Sequence, residues 1–147
     1  MLIMGYAIFI TSDFKGVKAL EILNQRINEK KWLIFPKTPG QEHLTKGTKI
    51  IFYIAGKYEF SRNFYAVGEI EEIEKSDDFY DPQYNQYVKQ FITFKIIKLF
   101  SKPIDIRTIK EQLSFIRKPT HYGLDLIGGV KIIQKKDFEF IVSREAK

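Results

Sequence analysis

The sequence predicts an α+β fold in which short strands form a small mixed β-barrel or strongly curved sheet, with helices packed outside. Three observations carry this. The apolar segments are brief and rich in Ile, Phe, Tyr and Val. They alternate with stretches of helical periodicity in the order β-α-β-β-β-α-β-α. The chain has 147 residues, 44% of them hydrophobic, enough for one core and too few for two. It contains no Pro-, Gly- or Ser-rich linker and no internal repeat, so residues 1–147 are expected to form a single domain.

Tyr6-Ala7-Ile8-Phe9-Ile10 is almost wholly apolar, as in a central strand covered on both faces. Thr11, Ser12 and Asp13 end it. Either Ser12 or Asp13 can cap a following helix of about four turns, in which Phe14, Val17, Leu20, Leu23 and Ile27 share one stripe. Periodicity dissolves over residues 29–47, so Lys31-Trp32-Leu33-Ile34-Phe35-Pro36 is expected as an ordered loop carrying the only tryptophan. Residues 49–54 and 64–73 are the second and third strands. Gly68, inside the third, predicts a bulge or the close approach of another backbone. Residues 76–90, acidic and tyrosine-rich with Asp81-Pro82, form an excursion before a fourth strand at 91–100. Pro103 opens a short helical segment with Ile106, Ile109 and Leu113 inward, and residues 114–129 make a second long loop. A last strand at 130–133 leads into a closing helix at 135–144, with Phe138, Ile141 and Val142 on one side.

The absence of cysteine excludes disulfides, thiolate zinc sites and cysteine nucleophiles. The apolar run from Met1 to Ile10 lacks a basic flank and a small-residue cleavage site, and is too short to cross a bilayer. A cytoplasmic protein without a membrane partner is therefore expected. A net charge of +6 favours polyanionic partners, because lysine and arginine displace condensed counterions from phosphates; a solvated lysine face is the alternative.

Catalysis has little to work with. His43 and His121 are the only histidines and lie in different loops without metal-ligand spacing. Glu69, Glu71, Glu72 and Glu74 suit a solvated strand face, and Gly123, Gly128 and Gly129 follow no phosphate-cradle pattern. No cofactor and no resident metal are expected. The competing enzymatic reading is a metal-dependent nuclease or hydrolase using carboxylates around Glu69 or Asp78. A small-ligand-binding module is a third reading. Basic and aromatic residues interleave instead: Lys30, Lys31, Trp32, Phe35 and Lys37 in one loop, and Phe115, Arg117, Lys118, His121 and Tyr122 in another. Such a mixture suits unpaired nucleotides, with rings stacking on bases and cations on phosphates, although each aromatic taken singly is more readily a core plug.

Several segments occur in a suggestive order: Gly5-Tyr6-Ala7-Ile8-Phe9-Ile10-Thr11-Ser12, then Trp32-Leu33-Ile34-Phe35-Pro36, the Lys46-Gly47 turn and Ile51-Phe52-Tyr53-Ile54. Tyr65-Ala66-Val67-Gly68-Glu69-Ile70 and Ser114-Phe115-Ile116-Arg117-Lys118 follow, with His121-Tyr122-Gly123 and Leu126-Ile127-Gly128 after them. Over nearly its whole length the chain resembles the EVE domain family, relatives of the PUA and YTH domains, above all the compact stand-alone archaeal and bacterial members. The resemblance implies a PUA-like barrel and a non-catalytic module that holds a flipped or unpaired, methylated base of DNA or RNA. Trp32, with Leu33, would be a stacking wall and Tyr122 a second aromatic or lid. Thr11 and Ser12 would be polar groups at the rim, and Tyr53 the floor. Lys31, Lys37, Arg117 and Lys118 would bind adjacent phosphates. Thr11 stands where many relatives have lysine, and Tyr122 where tryptophan is usual. Restriction or RNA-modification proteins would be the partners. The enzymatic alternative corresponds to the ASCH-like PUA group.

Overall fold

In this computed structural model the described residues are 5–76 and 78–145. The first four residues of the expected N-terminal run, and Asp77 of the acidic excursion, lie outside them. The strands are β1 (Tyr6–Thr11), β2 (Lys31–Ile34), β3 (Lys49–Ile54), β4 (Asn63–Lys75), β5 (Tyr80–Asp81), β6 (Gln86–Tyr87), β7 (Gln90–Asp105) and β8 (Val130–Ile133). The helices are α1 (Ala19–Glu29) and α2 (Lys135–Glu145). Short 3-10 segments punctuate the loops at Gln41–His43, Ile106–Thr108, Lys110–Gln112 and Pro119–Asp125, the last kinked at His121. Among the described residues no helix is long and apolar enough to cross a membrane.

Six strands form one mixed sheet in the order β2-β7-β4-β3-β1-β8; β1 and β3 run parallel and the other pairs antiparallel. The sheet curls hard. In the strand order β1 lies four steps from β2, roughly 19 Å in a flat sheet, yet the rings of Phe9 and Trp32 on those strands are 4.9 Å apart. The curl gathers Phe9, Trp32, Phe52 and Phe94 into one core on the concave side, which Ala19 and Leu23 of α1 close. Alternation sends Ile8, Ile10, Ile51 and Tyr53 to the other face, where Ile141 of α2 and Ile106, Ile109 and Leu113 of the 3-10 turns cover them. The result is a half-barrel with helices packed outside.

Gly68 satisfies both of its expectations. The β4–β7 register shifts between Val67 and Gly68, and a Cβ there would stand 2.8 Å from the Lys95 carbonyl oxygen. Three expectations need correction. α1 begins at Ala19, not directly after Asp13, because Lys15 and Gly16 take positive φ (47° and 84°) and fold Phe14 back onto Val17. Trp32 lies on a strand, not a loop: Lys30, at φ 55°, ends α1 and turns the chain into β2, where Trp32 pairs with Ile92. β7 runs on through Pro103 to Asp105, and 3-10 turns replace the expected helical segment.

Candidate functional site

The end of β1, Arg26 in the last turn of α1, Trp32 and Leu33 of β2 and Tyr84 of the 78–88 excursion converge on one side of the half-barrel. They enclose a cavity of about 250 Å³, walled by Thr11 to Phe14, Arg26, Trp32, Leu33, Phe35, Thr38, Tyr84 and the Gly128–Gly129 pair. Each wall has a local cause. Asp13 accepts the Ala19 N–H at Oδ1 (2.9 Å) and the Lys57 N–H at Oδ2 (3.2 Å), tying the segment after β1 to the start of α1. This leaves Ser12 exposed at the cavity instead of capping the helix. The Gln41 amide donates to the carbonyls of Phe35, Pro36 and Thr38 (3.1, 3.1 and 2.8 Å), and Thr38 Oγ1 accepts the Phe35 N–H, so the rim after β2 is held from within. Gly128 and Gly129, both at positive φ, carry the chain across the opposite rim, where the Gly129 carbonyl accepts the Ile10 N–H (2.7 Å).

The lining is aromatic, with a polar patch. The Tyr84 ring lies 4.4 Å from Phe14 and 5.5 Å from Phe35. Trp32 is 2% exposed, packed against Phe9 and Phe52, with the Arg26 guanidinium over its ring at 4.3 Å. Arg26 Nη2 also donates to the Tyr84 hydroxyl (3.1 Å). Burial pulls the Arg26 pKa down, and Tyr84, Asp81 and Glu29 oppose the shift; an arginine so placed keeps its charge at neutral pH. Thr11 is 2% exposed, and its Oγ1 is a buried hydroxyl with no hydrogen-bond partner among the described residues. Buried hydroxyls are nearly always satisfied, and this one shares its exception with Gln41 Oε1 and, on the other face of the sheet, the Tyr122 hydroxyl.

The sequence-derived candidates divide. Thr11, Ser12, Trp32 and Leu33 all line this cavity. Trp32 does so as a buried wall whose ring already carries Arg26, and not as an open stacking face. Tyr53 and Tyr122 do not join it: both belong to the core on the other face of the sheet, since Tyr53 is one residue out of phase with Phe52. There burial and the neighbouring Tyr122 push the Tyr53 hydroxyl pKa up, and Lys110 Nζ sits 5.1 Å from the Tyr122 ring. Lys37 is exposed in the rim loop between Phe35 and Thr38. Lys31 faces a neighbouring cavity. Arg117 and Lys118 border a separate one, where Arg117 Nε donates to Asp125 (2.7 Å). Sequence reasoning missed Phe14, Arg26 and Tyr84 as lining residues; the only signal for Tyr84 was the density of tyrosines in the excursion.

Of the carboxylates offered for metal chemistry, Glu69 is hydrogen-bonded to Lys49 and 3.8 Å from Lys95, and Asp78 is exposed. Among the described residues no three His, Asp or Glu side chains are grouped to hold a metal ion.

The curled six-stranded sheet defines a mixed half-barrel with helices packed outside. No family model and no curated protein matches the chain. Among solved structures, human THYN1 in complex with 5-methylcytosine-containing DNA shares the fold at 14% identity and a TM-score of 0.64, covering 97% of this chain and 98% of that one. So does the YTH domain of Zygosaccharomyces rouxii MRB1 in complex with N6-methyladenosine RNA, at 13% identity, TM-score 0.59 and coverage of 97% and 86%. Protein PSPTO5229 of Pseudomonas syringae is similar at 11% identity, TM-score 0.65 and coverage of 95% and 99%. At these identities the likeness is one of fold.

Proposed function

We propose that this chain is a non-catalytic, EVE-type nucleic-acid-binding module that holds a flipped or unpaired, methylated base in the cavity between β1, α1 and β2. The observation that carries the reading is the orphaned Thr11 hydroxyl on the wall of an aromatic cavity. Phe14, Phe35, Tyr84 and the guanidinium carried by Trp32 offer π surface to a base, while Thr11, Ser12 and the Gly128–Gly129 backbone offer polar groups to its edge. The cavity, about 250 Å³, lies below the roughly 300–1,000 Å³ of drug-sized sites, which suits one base with its phosphates left outside. Lys37, exposed in the rim loop, would take one of those phosphates. The bound DNA of THYN1 and the bound RNA of the MRB1 YTH domain, both methylated, support the same use of this fold.

A buried methyl contributes only ~1 kcal/mol, so a methylated base should bind about fivefold more tightly than its parent, with phosphate contacts supplying much of the remainder. Fluorescence anisotropy on short single strands containing 5-methylcytosine, N6-methyladenine or their parents, at two salt concentrations, measures this. Affinity should fall steeply with salt, and Thr11→Val should weaken binding of the methylated strand roughly tenfold while the fold persists. Unchanged affinity in both Thr11→Val and Phe35→Ala would move the site elsewhere.

A further inference from the structure

We propose that the cavity on the far side of the Arg26–Tyr84 partition is a second nucleotide subsite, which takes the base next to the one held in the first cavity on the same strand. This rests on the base-binding reading of the first cavity. The second space is the larger, about 410 Å³, and lies between α1, β2, the start of β7 and the excursion. It shares Arg26, Leu33 and Tyr84 with the first, so the two are separated by the thickness of one side chain. A single sugar-phosphate unit spans such a partition, and a strand entering one cavity brings its neighbouring base to the other.

The chemistry of the wall selects a base. Phe79 is 46% exposed on the excursion and meets Phe91 edge-on at 5.3 Å, so aromatic surface stands open to solvent beside an existing aromatic pair. Such surface stacks on any base, because every base has a π face. Asp81 and Glu29, also lining the cavity, put negative charge within it and disfavour a phosphate there. The phosphates are left to the rim, where Lys31 Nζ stands 5.0 Å from the Phe91 ring, and to the partition itself. Among the described residues the one hydrogen bond made by the Arg26 guanidinium is to Tyr84, so most of its donors remain for the linkage between the two nucleotides.

The test uses four single strands carrying 5-methylcytosine in DNA, and the same set carrying N6-methyladenine in RNA. One is intact, one is abasic at the methylated position, and two are abasic at its 5′ or 3′ neighbour. An abasic site at one of the two neighbours should weaken binding about tenfold. Phe79→Ala should abolish that penalty and leave the penalty at the methylated position unchanged; the ring is exposed, and a thermal melt checks that the fold persists. Thr11→Val should reduce the penalty at the methylated position and leave the neighbour penalty unchanged. If both neighbours can be abasic without effect, or if Phe79→Ala leaves the neighbour penalty intact, the second subsite is wrong while the first stands. If no penalty appears at the methylated position, the base-binding reading fails and takes this proposal with it.

Discussion

Two side chains in the same cavity wall, Thr11 and Trp32, are buried alike yet held for opposite reasons. Trp32 packs against Phe9 and Phe52 and supports Arg26, so truncating it removes a large part of the concave core. Trp32→Ala should cost about 3–5 kcal/mol in urea denaturation, which makes it an unsuitable probe of binding on its own. Thr11 contributes a hydroxyl that satisfies nothing within the described chain. Thr11→Val should therefore raise stability by about 1 kcal/mol, and under the proposed base-binding role it should weaken the ligand at the same time. A loss of stability in this variant would show that the hydroxyl is already paired, and the argument from its isolation would collapse. Arg26 belongs to both descriptions: it is desolvated on an indole and carries donors into two cavities.

At the scale of elements, the segment between β1 and α1 decides where the site opens. A two-residue turn at Lys15-Gly16 delays the helix to Ala19, and Asp13 reaches across the gap to hold its first N–H. Asp13→Ala should destabilise by about 1 kcal/mol and loosen amide protection at Ala19 and Lys57 together, since both donate to that carboxylate. Protection lost at only one of the two would contradict the shared tie. The helical stripe of Leu20, Leu23 and Ile27 was legible because an amphipathic face repeats locally. The start of α1 was not, since Phe14 and Val17 continue the stripe in sequence while the glycine turn takes them out of it. β2 was hidden for a similar reason. Lys31-Trp32-Leu33-Ile34 is too short to declare a period, and only pairing with β7 makes it a strand.

At the scale of the whole molecule, acid stability follows from the carboxylates held by cations. A hydrogen bond from Lys49 holds the Glu69 pKa below the ordinary range; Arg107 does the same for Asp105, and Lys98 for Glu145. For Asp125, burial pushes up, but the side-chain and backbone hydrogen bonds from Arg117 outweigh it. All four folded-state values are depressed, so the unfolded chain takes up protons first as pH falls. Their stabilisation is present above roughly pH 4–4.5, the unfolded range, and is lost as pH falls through the lower folded values. The Tm should stay level from pH 7 to 5 and drop below pH 4; a Tm that rises on acidification would contradict the assignment. The sequence by itself determined the class of fold, most of the strands and the net positive charge, because hydrophobic periodicity and composition are local properties; that the end of β1 borders the cavity was what the family resemblance implied. Only the tertiary structure decided that Trp32 is a buried wall, that Tyr53 and Tyr122 face away from it, and that Tyr84 and Arg26 complete the cavity. The physical reason is the curl of the sheet, which brings together strands far apart in its order and assigns each side chain to one face or the other by a single step of register.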